Sequence, residues 1–301
     1  MILPHATHIP VLLPEVLAGL DVKEGKKYID ATIGGGGHSF EILRRGGKVL
    51  GIDRDEDALK SNLKIGEDLI LVKGNFKDID VIAKRCGWED VAGILFDLGM
   101  STHQLKESGR GFTFERDEPL DMRMDTSQKM SGADVINTFS REELYEIFTK
   151  CAEELHSRAI AEAIVRARTL DGAITRTSQL VRIIDSLLPD LYRGSDQNAF
   201  FKIRMQTLAR IFQAIRITVN DELKNLEGGL CQGINVLGKE GRLVVLSYHS
   251  LEDRLVKLLI KEEVRKGTLQ RITKKPVTAK REEIALNPKS RSAKLRIAQK
   301  L

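Results

Sequence analysis

Four consecutive glycines, Gly34 to Gly37, separate an apolar, β-branched run from a helix-forming one. The run from Tyr28 to Ile33 has the composition of a buried strand, and Ser39 to Arg45 that of a helix closed by Gly46 and Gly47. Strand, glycine turn and helix make the opening unit of an α/β domain whose backbone comes close to a ligand. Glycine suits such a turn because it keeps side chains out of the approach and adopts positive φ without strain.

A dinucleotide fingerprint requires Gly-x-Gly-x-x-Gly or Ala. Gly34 and Gly36 satisfy the first two places, but the third is Ser39. Four residues before Gly34 stands an acid, Asp30. An acid followed by Thr32, Gly34 and Gly36 is similar to the first motif of S-adenosylmethionine (SAM) methyltransferases. SAM carries an ammonium, a carboxylate and a sulfonium instead of a pyrophosphate, so an acid beside the loop suits it. The loop alone does not separate SAM from a nicotinamide dinucleotide.

Three further strand-like runs follow at roughly regular intervals: Lys48 to Asp53, Leu69 to Lys73 and Val91 to Asp97. Helical stretches, Asp55 to Leu63 and Ile79 to Cys86, lie between them. Strands alternating with helices predict an α/β, Rossmann-like, mostly parallel sheet with its ligand crevice outside the strand ends. The residues there are Gly34 to His38, Asp53, Phe76 and Asp97. Asp53 suits ribose hydroxyls or caps the helix after it. Phe76 suits an adenine face or the core. Asp97 closes an apolar strand and needs a partner, because a lone buried carboxylate is costly.

From residue 106 the pattern changes. Residues 106 to 131 are polar, with Phe112, Phe114, Met122 and Met124 interleaved, and read as an edge strand or an ordered loop. Residues 131 to 200 read as helices, one beginning in the capping box Ser140-Arg-Glu-Glu143 and another running from Thr177 to Leu188 with Pro189 as its stop. An all-α substrate-recognition domain over 106–205 is therefore expected inside a discontinuous sheet domain, 1–105 plus 206–301. Gly228 and Gly229 suggest a helix break. Leu243 to Leu246 reads as a fifth strand, and Lys294 to Ala298 as a final edge strand.

Of 301 residues, 42% are hydrophobic and 30% charged, and no apolar run approaches membrane-spanning length. Pro4, Pro10, Pro14 and Glu15 without a basic start do not make a signal peptide, and Cys86, Cys151 and Cys231 show no disulfide or metal spacing. A cytoplasmic protein with free thiols, no metal and no membrane association is the expectation. The net charge of +5 is uneven: Arg265 to Lys300 holds twelve Lys or Arg against Glu282 and Glu283. A segment this basic on an otherwise acidic body suggests a polyanionic partner or a solvated tail.

Nine stretches together resemble the bacterial 16S rRNA (cytosine-N4)-methyltransferase family, RsmH or MraW. They are His8-Ile-Pro-Val-Leu-Leu13, Asp30-Ala-Thr-Ile-Gly-Gly-Gly-Gly-His-Ser39, Gly51-Ile-Asp-Arg-Asp55, Phe96-Asp-Leu-Gly-Met-Ser101, Arg110-Gly-Phe-Thr-Phe114, Pro119-Leu-Asp-Met-Arg-Met-Asp125, Phe212-Gln-Ala-Ile-Arg-Ile217, Ser247-Tyr-His-Ser-Leu-Glu-Asp-Arg254 and Asn287-Pro-Lys-Ser-Arg-Ser292. They occur in order and nearly end to end. The resemblance implies a class I SAM-dependent methyltransferase fold with a helical insertion. It implies SAM held by Gly36, Gly37, His38, Asp53, Phe76, Asp97 and Gln104. It further implies methylation of one cytidine amine in the decoding region of 16S rRNA, within the small ribosomal subunit.

Many amino-group methyltransferases place Asp/Asn-Pro-Pro-aromatic after the fourth strand, where this chain has Asp97-Leu-Gly-Met100. Asp97 is expected at the reaction centre with Tyr248 or His249 on the opposite wall. Phe112, Phe114 and Tyr248 either stack on the extruded base or pack in the core, and Arg110, Arg116 and Arg123 are expected on phosphates. On chemistry alone, a nicotinamide dehydrogenase, a non-enzymatic RNA-binding assembly factor and a DNA methyltransferase stay open.

Overall fold

The computed structural model describes residues 9–62, 68–100, 104–105, 108–192 and 196–301, which divide into two compact units. One unit comprises Met1–Ser101 with Leu223–Leu301, the other Thr102–Glu222.

The first unit is built on seven strands: β1 (Lys27–Asp30), β2 (Lys48–Asp53), β3 (Leu69–Lys73), β4 (Val91–Asp97), β5 (Leu237–Ser247), β6 (Leu269–Arg271) and β7 (Lys294–Lys300). Their order is β3-β2-β1-β4-β5-β7-β6. β1 to β5 run parallel, and β7 is antiparallel to both its neighbours. The chain winds outward from β1 through β2 to β3, then crosses back to β4. The switch point therefore lies between β1 and β4, where a parallel sheet opens its crevice. This is the Rossmann-like class I methyltransferase architecture.

Alternation along the strands sends side chains to two cores. Ile94 and Phe96 of β4 join Ile29, Leu50, Ile52 and Val245 on one face, covered by α4 (Ile79–Arg85) and the helices Glu222–Val236 and Ser250–Lys266. Leu95 joins Tyr28, Val49, Val244 and Leu246 on the other, under α1 (Leu13–Leu20) and α2 (Gly37–Arg44). A further helix, α3 (Glu56–Asn62), follows β2.

Two sequence expectations for the sheet need correction. β1 ends at Asp30, because Ala31 to Ile33 already turn toward the glycine loop. β7 is interior, not an edge strand. Its alternating charge is Arg296, buried and bonded to Asp253 at 2.7 Å, so both faces are covered. The edge is β6, three residues too short to show a period.

The second unit is helical: α5 (Gly132–Thr138), α6 (Arg141–Ala152), α7 (Ser157–Leu170), α8 (Thr177–Leu191) and α9 (Gln197–Asn220). Ser131 and Ser140 cap α5 and α6 through reciprocal bonds with Asp134 and Glu143. Pro189 lies inside α8, in its last turn, where one missing hydrogen bond is tolerated. The expected return to the sheet domain at residue 206 falls in the middle of α9. That helix is continuous and buries Leu208, Ile211, Phe212 and Ile215 within its own unit. Residues 108 to 131 are an ordered loop with one isolated bridge, Pro119 to Arg176, and no edge strand.

The expected break at Gly228–Gly229 does not occur. The chain breaks at Asp221, in left-handed backbone with φ 48°, and α10 (Glu222–Val236) runs through both glycines. A Cβ on Gly229 would stand 2.6 Å from Phe76 Cδ2 and 3.0 Å from the Phe76 carbonyl oxygen, whereas one on Gly228 meets nothing closer than 3.8 Å. Gly229 is thus required by a close approach, and Gly228 only weakens the helix. No helix among the described residues is long and apolar enough to cross a membrane. Gly228→Ala should raise unfolding stability by about 0.5–1 kcal/mol, the usual helix gain. Gly229→Ala, one position on, should lower it by about 1–3 kcal/mol through overpacking against Phe76. Urea denaturation of the two variants checks the opposite signs.

Candidate active site at the strand ends

The glycine loop bridges β1 and α2. Gly34 and Gly36 have φ of 48° and 73°, conformations that side chains resist. A Cβ on Gly37 would lie 2.5 Å from Pro10 Cγ, so the leading arm occupies its side-chain space. Gly35 has neither constraint: its φ is not positive, and a Cβ there would meet no atom within 4 Å. No internal contact accounts for glycine at that position.

Two aspartates, one on each side of the switch point, tie down the loop. Asp30, at the end of β1, is buried and accepts from Ser39 Oγ at 2.6 Å and from the Thr32 amide at 3.2 Å. Burial pushes its carboxyl up to about 6, against the lowering effect of Ser39 and His38. Asp97, at the end of β4, donates its amide to Thr32 Oγ1 at 2.7 Å, which ties β4 to the start of the loop across the switch point. Its Oδ1 accepts from Tyr248 Oη at 2.8 Å, and its Oδ2 lies 3.5 Å from His38 Nδ1. Burial, then the charge of Asp97, pushes the Tyr248 hydroxyl far above its ordinary range, so it remains a donor. A Cβ on Gly99 would come 2.7 Å from the Tyr248 ring, so that ring lies directly on the Leu98-Gly99 backbone.

His38 is buried in the first turn of α2, and its Nε2 lies 3.0 Å from the Val11 carbonyl. A carbonyl only accepts, so Nε2 carries the proton. A neutral ring then turns a bare Nδ1 toward Asp97 Oδ2, and two acceptors face each other. Such a pair needs a donor: a proton on Nδ1, or an N–H from a bound group.

Asp53 closes β2. Its oxygens accept from the Gly34 amide and the Asp55 amide, each at 2.9 Å, so it braces the loop and the start of α3 together. Burial raises its carboxyl. The cap of α3 falls to Asp55, which accepts from the Asp57 amide. Each Asp53 oxygen keeps a second lone pair for another donor. Phe76 is half-buried and meets Phe96 edge-on, with ring centroids 5.7 Å apart.

Tyr248, and not His249, reaches Asp97. His249 is the N-cap of α11 (Ser250–Lys266), its ring accepting from the Glu252 amide and its Nε2 3.0 Å from Glu252 Oε1. Ser39 and Val11 were not among the expected site residues, and Asp30 and Thr32 were expected only as part of the cofactor motif. The signal for Asp30 and Ser39 was present, since an acid and a hydroxyl flank the loop. The role of Val11 rests on its carbonyl, which sequence cannot flag.

The remaining expected residues belong to the second unit. Gln104 is buried there, and its carbonyl accepts from Ser108. Arg110 donates to the carbonyls of Arg123 and Met124, and Arg123 chelates Asp121 at 2.7 and 2.8 Å and reaches the Thr126 and Gln128 carbonyls. Those two arginines therefore hold the loop's own backbone. Arg116 is exposed and only 3.8 Å from Glu118. Phe112 is buried beneath Arg110, and Phe114 packs edge-on to Phe212 at 5.5 Å. The basic segment is partly committed too. Lys294 and Arg296 share Asp253, Lys266 pairs with Glu262 and Glu263, and Lys300 donates to the carbonyls of Asn235 and Leu237.

Asp30 gives the site a pH signature. Its carboxyl titrates higher folded than unfolded, so folding favours its protonated form. Its contribution is fully present below the model-compound value of 3.8 and is lost as pH rises through about 6. Asp30→Asn keeps an acceptor for Thr32 and does not titrate. The stability of wild type minus that of Asp30→Asn should fall by about 1–3 kcal/mol between pH 4 and 7 and stay flat above. Urea denaturation across that range measures it.

A glycine loop flanked by Asp30 and Asp97 at the switch point of this sheet is the arrangement expected of a methyltransferase, and the relatives agree. Residues 5–301 match the MraW methylase family. Ribosomal RNA small subunit methyltransferase H of Carboxydothermus hydrogenoformans is 43% identical over 98% of both chains. The enzyme of the same name from Persephonella marina is 44% identical, over 98% of this chain and 99% of its own. With the match running almost end to end, the chain belongs to the MraW methylase family.

Proposed function

We propose that the protein transfers a methyl group from SAM to the exocyclic N4 of a cytidine in the decoding region of small-subunit ribosomal RNA. The observation that carries this is Asp97, held by Tyr248 and faced by His38 where β4 ends beside the glycine loop. Family membership and the names of the relatives supply the RNA substrate.

The residues present fit SAM. Gly35 leaves room along the loop that no internal contact requires. Asp53 retains lone pairs for ribose hydroxyls, Phe76 offers a half-buried ring at the end of β3, and Gly36, Gly37 and His38 lie at the start of α2. When bound, SAM supplies a methyl on a sulfonium, already a good leaving group. The protein's share is therefore chiefly positioning, which is worth roughly 7–11 kcal/mol when reactants are held in attack geometry.

The cytosine N4 lone pair is delocalised into the ring and is a poor nucleophile. An acceptor on the amine's N–H localises that pair and later takes the proton. Asp97 Oδ2 is the open acceptor, because Oδ1 is engaged by Tyr248. His38 Nδ1, 3.5 Å away, offers a second acceptor for an amine's two hydrogens. Tyr248 holds the carboxylate rotamer and stays protonated throughout. Arg116 and the exposed part of the basic segment supply the charge for phosphates, and the inserted unit serves substrate recognition.

Incubation with small-subunit RNA and labelled SAM, followed by nucleoside mass spectrometry, should give N4-methylcytidine. Label on cytosine C5, or none, would refute this reading. Asp97→Asn should lower single-turnover transfer by about 100-fold or more. Tyr248→Phe, which removes one hydrogen bond to a charged group, should lower it about tenfold.

A further inference from the structure

The short helix α12 (Arg281–Leu286) lies in the basic segment, far along the chain from the catalytic carboxylate, yet its side chains tie down the leading arm. Glu283 Oε1 accepts from the Leu12 amide at 2.7 Å. Asn287, the residue after the helix, donates from Nδ2 to the Ile9 carbonyl at 2.9 Å and is buried. Between these two ties the arm makes two contacts with the cofactor loop. Pro10 fills the space a Cβ on Gly37 would need, and the Val11 carbonyl accepts from His38 Nε2.

The arm is not relaxed. Leu12 has φ 51° and ψ 37°, left-handed backbone that costs a leucine about 1–2 kcal/mol. Its side chain is fully buried, so the strain is held by packing on one side and by the Glu283 bond on the other. A backbone outlier kept by specific contacts beside a reaction centre calls for a reason. Here the twist at Leu12 immediately follows the carbonyl that fixes which nitrogen of His38 carries the proton, and hence that Nδ1 faces Asp97.

We infer that Glu283, with Asn287 as the second tie, is a positioning residue for methyl transfer, acting through the arm on the tautomer and placement of His38. The inference rests on the proposed methyl-transfer reading for its kinetic consequence, but its structural consequence stands alone. What matters is the acceptor at Glu283, not its charge, since a backbone amide is satisfied by a carboxamide oxygen as well as by a carboxylate.

The test uses the full chain labelled with ¹⁵N-histidine, read by long-range ¹H–¹⁵N correlation at about pH 8.5, where the neutral tautomers are distinguishable. His38→Asn assigns the resonance. Wild type should show His38 protonated on Nε2. Glu283→Ala and Asn287→Ala should each convert it to a tautomer mixture. They should also lower single-turnover methyl transfer about tenfold, leaving RNA affinity by filter binding unchanged. Glu283→Gln should keep the wild-type signature and rate. An unchanged tautomer in both alanine variants overturns the inference, as does a Glu283→Gln variant that falls as far as Glu283→Ala. If wild type transfers no methyl to RNA, the proposed function fails while the tautomer measurement still decides the role of Glu283.

Discussion

The site depends on the requirement that a carboxylate taken out of water be satisfied by donors. Asp30 and Asp97 end neighbouring strands at the point where the sheet's winding reverses; Asp97 is partly exposed, but Asp30 is buried, and leaving it without partners would cost several kcal/mol. Much of the surrounding structure answers that demand. Ser39 and the Thr32 amide serve Asp30, and Tyr248 serves Asp97. Thr32 links the two sites, since its hydroxyl accepts from the Asp97 amide while its own amide serves Asp30. The loop is therefore fixed at both ends by hydrogen bonds to the Asp30 carboxylate, with the Asp97 amide as a further tie, and its glycines shape the backbone between them.

The same chemistry explains why the basic residues divide as they do. Arg296 and Asp253 are both buried, and breaking such a pair typically costs about 3–5 kcal/mol, so this arginine belongs to the fold. Arg123 and Arg110 stitch an irregular loop by donating to its backbone carbonyls. An arginine-rich stretch resembles a phosphate-binding surface when seen as letters, yet each guanidinium offers several donors and the nearest unsatisfied carbonyl competes for them. Arg116 is exposed and only loosely paired with Glu118, so it has no such structural task.

Much of the sheet was legible in the sequence because its parallel strands read as unbroken apolar runs, the central ones being buried on both faces. β2, β3 and β4 match their expected limits, and the glycine loop, Asp53 and Asp97 fall at strand ends as anticipated. What escaped was set by tertiary contact. Gly229 suggested a weak helix, but the helix needs that glycine in order to approach Phe76. Tyr248 and His249 looked equivalent as neighbours, and only the start of α11 separates them, turning one to cap the helix and the other toward Asp97. The strained Leu12 and the Val11 carbonyl carry no side-chain signal at all.

The central claim is that the rim formed by β1, β2 and β4 holds the cofactor with its reactive end toward Asp97. A crystal structure of the protein soaked with S-adenosylhomocysteine tests it most directly. The account predicts density along the glycine loop, ribose hydroxyls on Asp53 and the sulfur facing Asp97 and His38. Density lodged among the helices of the second unit, with that rim empty, would contradict it.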